Sequence, residues 1–362
     1  MRVGLLLEQL LAPVPGGTGR YSREIGAALA RTGEVEVDGF VAAHRDTAAA
    51  EVDGVGGPHR LPLPRRALVA AWERGTGPGV PRDVVHAPTP LAPPRRRTPL
   101  VVTVHDAVPW THPSTLTPRG VRWHRRVVER AARDADLLVV PTRAVADELR
   151  HHVRIAPDRL LVVGEGVSGD LDLPPDADAR AAAMDLPERF LLTVATLEPR
   201  KGLADLVRAL ADRAAPDLPL LCAGQPGWGE LTSPEELAAQ VGLAPGRVRA
   251  LGRVPDADLA VLLRRATALV VPSRAEGFGL PLLEAMAVGT PVVASQAPAL
   301  VEVAGGAAVH VDVASLPLAL REVVEDDAVR ARLRLAGPAR AAAFTWDGAA
   351  RLLVEAYRAL RA

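Results

Sequence analysis

The sequence predicts an α/β protein with two parallel β-sheets, and three observations lead to this prediction. Short apolar runs rich in Val and Leu recur along the chain, and most are followed by a loop and a helical pattern, as in successive βαβ units. Segment 164–187 is rich in Gly, Pro and Asp and divides these runs into two series of similar size. The length of 362 residues suits two domains of roughly 100 to 200 residues each. We interpret segment 164–187 as the linker between them.

The predicted elements alternate between strand and helix in both halves. In the first half the strands are 3–7, 35–41, 84–86, 100–104, 137–140 and 160–163, and the helices are 19–31, 119–133 and 144–152. In the second half the strands are 190–195, 218–222, 248–251, 268–271, 291–294 and 308–311, and the helices are 203–213, 234–241, 256–265 and 281–288. Interval 43–79 has poor periodicity and predicts a long loop or small insertion. The apolar spacing near the end of the chain predicts an amphipathic helix over 346–362.

The composition is that of a globular protein, and it excludes several classes. Apolar residues make up 48% of the chain and charged residues 24%, which is unlike a disordered or fibrous protein. Basic and acidic residues number 43 each, so the chain lacks the positive excess needed to bind along nucleic acid. Its single cysteine, Cys222, has no partner for an internal disulfide. Glu8 and Gln9 interrupt the first apolar run before it could form a signal-peptide core, so we expect a cytoplasmic protein.

Lys201 is the only lysine of the chain, and it follows Arg200 at a predicted turn from strand to helix. The free N–H groups and the dipole at a helix N-terminus favour anions, so two cations beside it predict a diphosphate site. A compact ammonium suits such a site differently from a guanidinium, which would explain a lysine in an arginine-rich chain. The alternative is that both residues are ordinary surface cations.

Glu276 and Glu284 lie eight residues apart around the end of a predicted buried strand. Glu276 stands in a loop with Gly277 and Gly279, and Glu284 in the first turns of the helix that follows. Ligands of α/β proteins bind at the carboxyl ends of the strands, so the two carboxylates are candidates for holding two parts of one polyol ligand. The alternative is that Glu276 is a solvated loop charge and Glu284 only complements the helix dipole.

Two further candidates lie in the first half. Gly16 and Gly17 precede a helix in a loop that departs from the dinucleotide-binding pattern, because Ser22 occupies the position of its third glycine. Glycines there would let backbone N–H groups approach a phosphate, and a plain tight turn is the alternative. His105 ends a strand, where it contacts a ligand or forms a structural hydrogen bond.

Together these motifs resemble glycosyltransferase family 4, which comprises retaining enzymes of the GT-B fold. The string from Glu276 to Ala294 resembles the Glu-x7-Glu element of that family, and Glu198-Pro199-Arg200-Lys201 resembles its diphosphate loop. The loop before the first helix resembles its Gly-Gly-x-Gly-Arg-Tyr motif, and the family places a His at the position of His105. The resemblance extends from Val3 to the terminal helix. It departs from the family at Glu165, where relatives carry Asn in an Asn-Gly-Val motif.

The resemblance implies two Rossmann-like domains that face each other across a cleft. Residues 1–165, joined by the returning helix 346–362, would form the acceptor domain, and residues 166–345 the nucleotide-sugar donor domain. The resemblance assigns catalysis to His105, Glu276, Arg200 and Lys201. It assigns donor binding to Gly16, Gly17, Arg200, Lys201, Val254, Gly277, Phe278, Gly279, Leu280 and Glu284. Because no Asp-x-Asp motif accompanies the cation pair, we expect no metal ion and no cofactor beyond the nucleoside diphosphate sugar, which is a co-substrate.

The implied reaction transfers a hexose, with retention of configuration, to a hydroxyl of a glycan, a glycolipid or a small molecule. GDP-mannose is favoured as the donor, followed by UDP-hexoses. One alternative is a non-catalytic sugar-nucleotide-binding protein, and another is a GT-B phosphorylase that uses pyridoxal phosphate on Lys201. Helix 119–133 (Arg119–Arg133) has one basic and one apolar face. We interpret it as a core helix with a solvated basic face, and peripheral contact with the inner face of the membrane is the alternative.

Overall fold

Runs of consecutive apolar residues form the centres of two sheets because parallel strands are buried on both faces. The computed structural model describes residues 1–225 and 233–361. The chain divides into two compact units, unit 1 (Met1–Gly166 and Thr345–Ala362) and unit 2 (Val167–Phe344). Strands such as Leu137–Val140 and Ala268–Val271 have every residue buried. The prediction of two parallel-sheet, Rossmann-like domains is confirmed.

Unit 1 contains a seven-stranded parallel sheet in the order β3-β2-β1-β4-β5-β6-β7. Its strands are β1 (Arg2–Leu6), β2 (Glu36–Val41), β3 (Gly56–Arg60), β4 (Val84–Ala87), β5 (Leu100–Thr103), β6 (Leu137–Val140) and β7 (Leu160–Val162). The helices described within the same unit are α1 (Gly16–Arg31), α2 (Arg65–Glu73), α3 (Val108–Thr111), α4 (Pro118–Asp134) and α5 (Arg143–His152), followed near the end of the chain by the terminal helix. Buried residues of α2, α4 and α5 pack with strand residues in one core.

Unit 2 contains a six-stranded parallel sheet in the order β10-β9-β8-β11-β12-β13. Its strands are β8 (Leu191–Val194), β9 (Leu220–Ala223), β10 (Val248–Gly252), β11 (Ala268–Val271), β12 (Val292–Ser295) and β13 (Val309–Val311). Its described helices are α6 (Ala177–Ala183), α7 (Leu203–Leu210), α8 (Pro234–Gln240), α9 (Asp256–Arg265), α10 (Leu280–Ala287), α11 (Pro298–Ala304), α12 (Leu316–Glu325) and α13 (Asp327–Ala341).

Both sheets reverse their winding beside their first strand. In unit 1 the chain winds from β1 to β2 and β3 on one side and then continues at β4 on the other. In unit 2 it winds from β8 to β9 and β10 and continues at β11 on the other side. Loops leave the sheet in opposite directions at such a point, and this opens a crevice at the carboxyl ends of the two central strands. Each sheet therefore offers a ligand position, beside β1 and β4 in unit 1 and beside β8 and β11 in unit 2.

The last helix, α14 (Trp346–Ala359), belongs to unit 1 and packs against α1. Its Tyr357 hydroxyl lies 2.6 Å from Nδ1 of His86, which is fully buried at the end of β4. Nε2 of His86 lies 2.8 Å from the Thr103 hydroxyl, so the helix is hydrogen-bonded to the strands beneath it. A Cβ atom on Gly166 would lie 2.3 Å from the backbone nitrogen of Trp346, so this close approach requires glycine. The predicted return of the terminal helix to the N-terminal domain is confirmed.

Local structure differs from the sequence expectations in three places. Interval 43–79, expected to be a long loop or small insertion, contains β3 and α2 and so is not a structureless loop. The exposed strand β3 (Gly56–Arg60) lacks an apolar pattern and forms by pairing with β2, whereas α2 buries Leu68 and Trp72 one turn apart. The predicted linker contains α6, whose Ala177 and Ala181 pack against Val261 of α9. The apolar patterns also missed α11, α12 and α13, the last of which has Pro338 within it.

Helix α1 begins at Gly16, three residues earlier than expected, so Gly16 and Gly17 lie in its first turn and not in a preceding loop. Gly16 has a φ of +61°, which a glycine adopts without strain and which allows the helix to start there. Within the described parts of the chain, no helix has both the length and the apolar character needed to cross a bilayer.

Candidate active site

The cation pair lies directly above the switch point of unit 2. Arg200 and Lys201 end a short 3-10 helix (Pro199–Lys201) that connects β8 to α7. Gly202 follows with a φ of +71° and begins α7. A Cβ atom at Gly202 would lie 2.2 Å from the carbonyl oxygen of Pro272, at the end of the neighbouring strand β11. This glycine therefore lets the two loops pack closely, and the cations are placed at the N-terminus of a helix.

Two polar contacts join the β8–α7 loop to the β11–α10 loop. The backbone N–H of Arg274 donates to the carbonyl oxygen of Arg200 over 2.8 Å. In return, Nη1 of Arg200 donates to the carbonyl oxygen of Ala275 over 3.3 Å. The side chain of Arg274 also donates to Asp205 on α7. Because both loops are held in this way, the charged side chains that they carry are fixed before any ligand binds.

Four charged side chains and one hydroxyl form a buried cluster here, which we call the donor cluster: Glu198, Arg200, Lys201, Ser273 and Glu276. Nζ of Lys201 lies 2.6 Å from Oε1 of Glu276, and the Ser273 hydroxyl donates to the same oxygen over 2.7 Å. Nη1 of Arg200 lies 3.6 Å from the other oxygen of Glu276, and its Nε lies 2.9 Å from Glu198. The two cations and the two carboxylates balance in charge.

Burial and charge act in opposite directions on the carboxylates of the donor cluster. Burial alone would raise the pKa of Glu276, but Lys201 and Arg200 outweigh burial and hold this pKa below its ordinary value. Glu276 is therefore ionised at neutral pH. At Glu198 burial dominates and raises the pKa, although Arg200 lies beside the carboxylate. The ion pairs of the cluster are 17% exposed or less, so solvent screens them weakly.

The glycine-containing segment after Glu276 is largely buried in unit 2. The side chains of Phe278 and Leu280 are buried, and the ring of Phe278 contacts that of Phe344 with a centroid distance of 5.6 Å. Gly279 has a φ of +95° and begins α10, where a Cβ atom would collide with Leu300. The donor contacts that the resemblance assigns to Gly277–Leu280 stay a prediction. Glu284 lies on α10 with its side chain buried at 3% exposure.

Val254 lies in the loop between β10 and α9 and is partly exposed. Because β10 is the edge strand, two strands away from β8, Val254 belongs to a different part of the carboxyl edge from Lys201. The structure thus brings together Arg200, Lys201 and Glu276, and it places Val254 and Glu284 on separate elements of the same unit. The roles that the resemblance gives these residues stay predictions.

In unit 1, His105 follows β5 and is held on both sides. Its Nε2 lies 2.8 Å from the carbonyl oxygen of Pro88, and its Nδ1 lies 3.5 Å from Oε1 of Glu165. The ring of Tyr21 meets the imidazole edge to face at a centroid distance of 4.7 Å. Burial alone would lower the pKa of His105, but the Glu165 carboxylate and the Pro88 carbonyl outweigh it and raise this pKa. We call these two side chains the His105–Glu165 pair.

The glycines at the start of α1 lie in open space. A Cβ atom on Gly16 or Gly17 would meet nothing within 4 Å, so packing does not explain why either residue is glycine. His86, in contrast, is a packing residue: its burial lowers its pKa to about 3, and both ring nitrogens are hydrogen-bonded to Thr103 and Tyr357. Strand-end position alone therefore does not separate a ligand contact from a structural histidine.

Sequence reasoning gave no role to three residues of these sites. Ser273 and Glu198 stood within the motifs but not at the positions that the resemblance assigns. Glu165 was noted only as a departure from the family. No periodicity indicates that the segment after β7 brings Glu165 to His105, which is 60 residues earlier in the sequence. Within the described residues, no group of three or more His, Cys, Asp or Glu side chains is arranged to hold a metal ion.

Two family models match the chain. The model described as "Glycosyl transferases group 1" covers residues 176–340, and the model described as "Glycosyltransferase Family 4" covers residues 15–171. The first match includes the donor cluster, and the second includes the His105–Glu165 pair.

Similarity to individual proteins is extensive. The chain is 30% identical over 282 residues to "O-antigen chain mannosyltransferase B" of Escherichia coli, covering 74% of this chain and 72% of that protein. It is 35% identical over 257 residues to "D-inositol 3-phosphate glycosyltransferase" of Nocardioides sp., covering 65% of this chain and 56% of that protein. Among solved structures, it is similar to sucrose-phosphate synthase from Thermosynechococcus elongatus, with a TM-score of 0.78, 25% identity and 99% of both chains covered.

Proposed function

The chain belongs to the family 4 glycosyltransferases of the GT-B fold, and from this premise we propose that it transfers a hexose from a nucleoside diphosphate sugar to an acceptor hydroxyl with retention of configuration. In this proposal unit 2 binds the donor and unit 1 binds the acceptor. The observation that supports it most is the donor cluster, because two cations and a carboxylate converge at the switch point of unit 2.

The donor cluster suits the diphosphate that leaves in this reaction. Negative charge grows on the diphosphate as the bond to the sugar breaks, so cations fixed beside it stabilise the transition state more than the bound substrate. Lys201 and Arg200 would supply these charges, together with the N-terminus of α7. The phosphate contact that the resemblance assigns to Gly16 and Gly17 of unit 1 stays a separate prediction. Glu276 would exchange its ion pair with Lys201 for contacts with sugar hydroxyls, Glu284 would bind the ribose, and the main chain near Val254 would bind the base.

Two observations on charged groups support retention in this proposal. A double-displacement mechanism needs a carboxylate that is free to attack the transferred sugar, whereas in this proposal Glu276 binds sugar hydroxyls once its ion pair with Lys201 is exchanged. Inversion needs a general base with a free lone pair, whereas both ring nitrogens of His105 face oxygen acceptors. Among the residues that the structure describes, we therefore assign neither role and favour a front-face displacement assisted by the leaving phosphate, with His105 beside the transferred sugar.

For the donor we favour GDP-mannose over UDP-hexoses. The name of the Escherichia coli relative and the sequence of the motif Glu198–Lys201 both support mannose. The test is a panel of GDP, UDP and dTDP sugars, first by thermal shift and then by turnover with simple glycan acceptors. We expect the largest shift in Tm with GDP-mannose and an axial product linkage by NMR, as in the donor. Turnover with inversion would contradict the retaining mechanism, and binding without turnover would favour a non-catalytic sensor.

The acceptor is a glycan, a glycolipid or a small molecule in this proposal. Helix α4 bears on the choice, because its exposed side chains include Arg119, Arg122, Arg126 and Arg133 while Val127 and Val128 are buried. We interpret this face as a solvated basic surface, and contact with anionic lipid is the alternative. Co-sedimentation with vesicles that contain anionic lipid tests the second role. Binding that persists in the quadruple Arg→Gln variant would rule out this helix as the contact.

A further inference from the structure

The two nitrogens of His105 face different acceptors. The carbonyl oxygen of Pro88, 2.8 Å from Nε2, can only accept a hydrogen bond, so Nε2 carries its hydrogen. The Glu165 carboxylate lies 3.5 Å from Nδ1, and an ionised carboxylate is also only an acceptor. The Glu165 side chain is 5% exposed and that of His105 is 14% exposed, so water cannot easily replace either partner. Only the doubly protonated ring satisfies both acceptors at once.

The other titratable groups around the imidazole either favour its protonated form or are neutral. Asp106, the next residue in the loop, adds negative charge and favours the protonated ring. Tyr21 on α1 contacts the ring, and its pKa is raised by burial, so it stays neutral. His86 on β4 is buried and neutral at pH 7, since burial lowers its pKa to about 3. Of the titratable groups described near the ring, Glu165 is the one in ion-pair contact.

We propose that Glu165 is a positioning residue that holds His105 as a doubly protonated imidazolium throughout the catalytic pH range. The ring is then fixed in orientation by Pro88 and Glu165 and acts through its charge and shape, because it has no lone pair with which to take a proton. This inference rests on the proposed function in one respect, namely that His105 lies beside the transferred sugar. The raised pKa of His105 agrees with the geometry.

The first experiment observes the ring directly and needs no substrate. The full chain is labelled with 15N in the imidazoles of its nine histidines, and the signal of His105 is identified by its loss in His105→Gln. We expect both ring nitrogens of His105 to show imidazolium shifts at pH 7, where an ordinary histidine is mostly neutral. An Nδ1 without a proton at pH 7 would overturn the proposal, whether or not the protein transfers sugar.

The second experiment removes the carboxylate. Glu165→Gln should lower the midpoint of the His105 titration by about one pH unit or more, because a nearby opposite charge shifts a pKa by about that much. Glu165→Asp should restore part of the shift. Glu148→Gln is the matched control, since it removes a half-buried carboxylate of α5 that interacts with Asp106, whereas the pKa of His105 is raised by Glu165, Pro88 and Asp106. An unchanged titration in Glu165→Gln would refute the assignment even if wild-type activity is normal.

The third experiment measures kcat against pH, which a purely structural role would not shift. The wild type should lose turnover as the pH rises through the pKa of His105, and in Glu165→Gln this alkaline limb should move to lower pH by the same amount as the NMR titration. If the NMR titration moves but the limb does not, His105 is positioned as proposed but its charge plays no part in turnover, and the proposed role in the catalytic pH range is wrong.

Discussion

The donor cluster of unit 2 and the His105–Glu165 pair of unit 1 both contain buried ion pairs at the carboxyl edge of a parallel sheet. They differ in whether the cation has a hydrogen-bond donor available for a new partner. In the donor cluster, the Lys201 ammonium has three N–H groups and donates one of them to Glu276. In the proposed function, an incoming diphosphate would meet a cation that is able to change partners. In unit 1 each nitrogen of His105 already faces an acceptor. Neither nitrogen of this imidazole is therefore available for a new hydrogen-bond partner.

The difference indicates two electrostatic roles. Breaking a buried ion pair by removing one partner costs about 3–5 kcal/mol, so a ligand that separates Lys201 from Glu276 must supply new partners for both charges. In the proposed function a sugar diphosphate would do so, since its phosphates would contact Lys201 and its hydroxyls would contact Glu276. The His105–Glu165 pair needs no replacement and contributes a fixed charge. The donor cluster is therefore expected to be sensitive to ligand, and the pair to pH.

Removal of the exchangeable cation should have the largest effect. We expect Lys201→Ala to lower kcat/KM by about 10²–10³, the usual loss when one fixed donor to a developing negative charge is removed. Lys201→Arg should recover little of this loss, because a planar guanidinium cannot present the same compact charge. The measurement is steady-state kinetics with the preferred donor, and Tm of each variant controls for folding. Near-normal turnover in Lys201→Arg would mean that only the sign of the charge matters.

Two glutamates within unit 2 should separate sugar binding from nucleotide binding. Glu276→Gln should lower kcat by about 10- to 100-fold, because in the proposed function its contact with the sugar would strengthen as positive charge develops on the ring. Glu284→Gln should mainly raise KM, since the ribose hardly changes charge during the reaction. Kinetics of both variants, with calorimetric binding of the nucleoside diphosphate, give the comparison. If Glu276→Gln loses nucleotide binding while Glu284→Gln keeps it, the two roles are reversed.

A third substitution tests whether close packing of the loops holds the donor cluster in place. Gly202→Ala should destabilise unit 2 by more than the roughly 1–2 kcal/mol of a left-handed residue, because the new Cβ would also collide with Pro272. Gly33→Ala is the matched control, with a φ of +65° and nothing within 4 Å. We expect a clearly larger fall in Tm for Gly202→Ala, and a fall in kcat that the control lacks. Equal falls in Tm would show that contact with Pro272 adds no constraint.

The fold was predictable where strands are buried on both faces, because such strands consist of consecutive apolar residues. Strands such as Leu100–Thr103 and Ala268–Val271 are fully apolar, and two series of them suffice for two parallel sheets. Strand Gly56–Arg60 has no such apolar run, because an exposed edge strand forms by pairing with its neighbour and does not need apolar side chains of its own. Helix Asp327–Ala341 was obscured by Gly337 and Pro338, although Gly337 is required where the helix contacts the backbone of Met286.

The candidate site was predictable as a set of motifs but not as a set of contacts. Strand order explains why: the loops after β8 and β11 are adjacent only because the sheet reverses its winding there, and this brings Lys201 to Glu276 across 75 residues of sequence. A single sequence shows that both residues follow strands, not that those strands are neighbours. Glu165 gave even less signal, since a lone carboxylate in a Gly-rich segment is indistinguishable from a solvated charge.

The smallest expected effect is that of metal removal. Arg200 and Lys201 already place two positive charges on loops held together by the contact between Arg274 and Arg200. A diphosphate bound there would have the counter-charges that a divalent cation otherwise supplies. We therefore expect kcat and KM to stay within about twofold after dialysis against EDTA, and to stay there when Mg²⁺ or Mn²⁺ is added back. The assay uses the full chain with its preferred donor, and a transferase known to require Mn²⁺ is run in parallel to show that the EDTA treatment is effective. Loss of turnover that returns with either metal would mean that the donor cluster is incomplete without an ion, and that its balanced charges mainly stabilise the loops of unit 2.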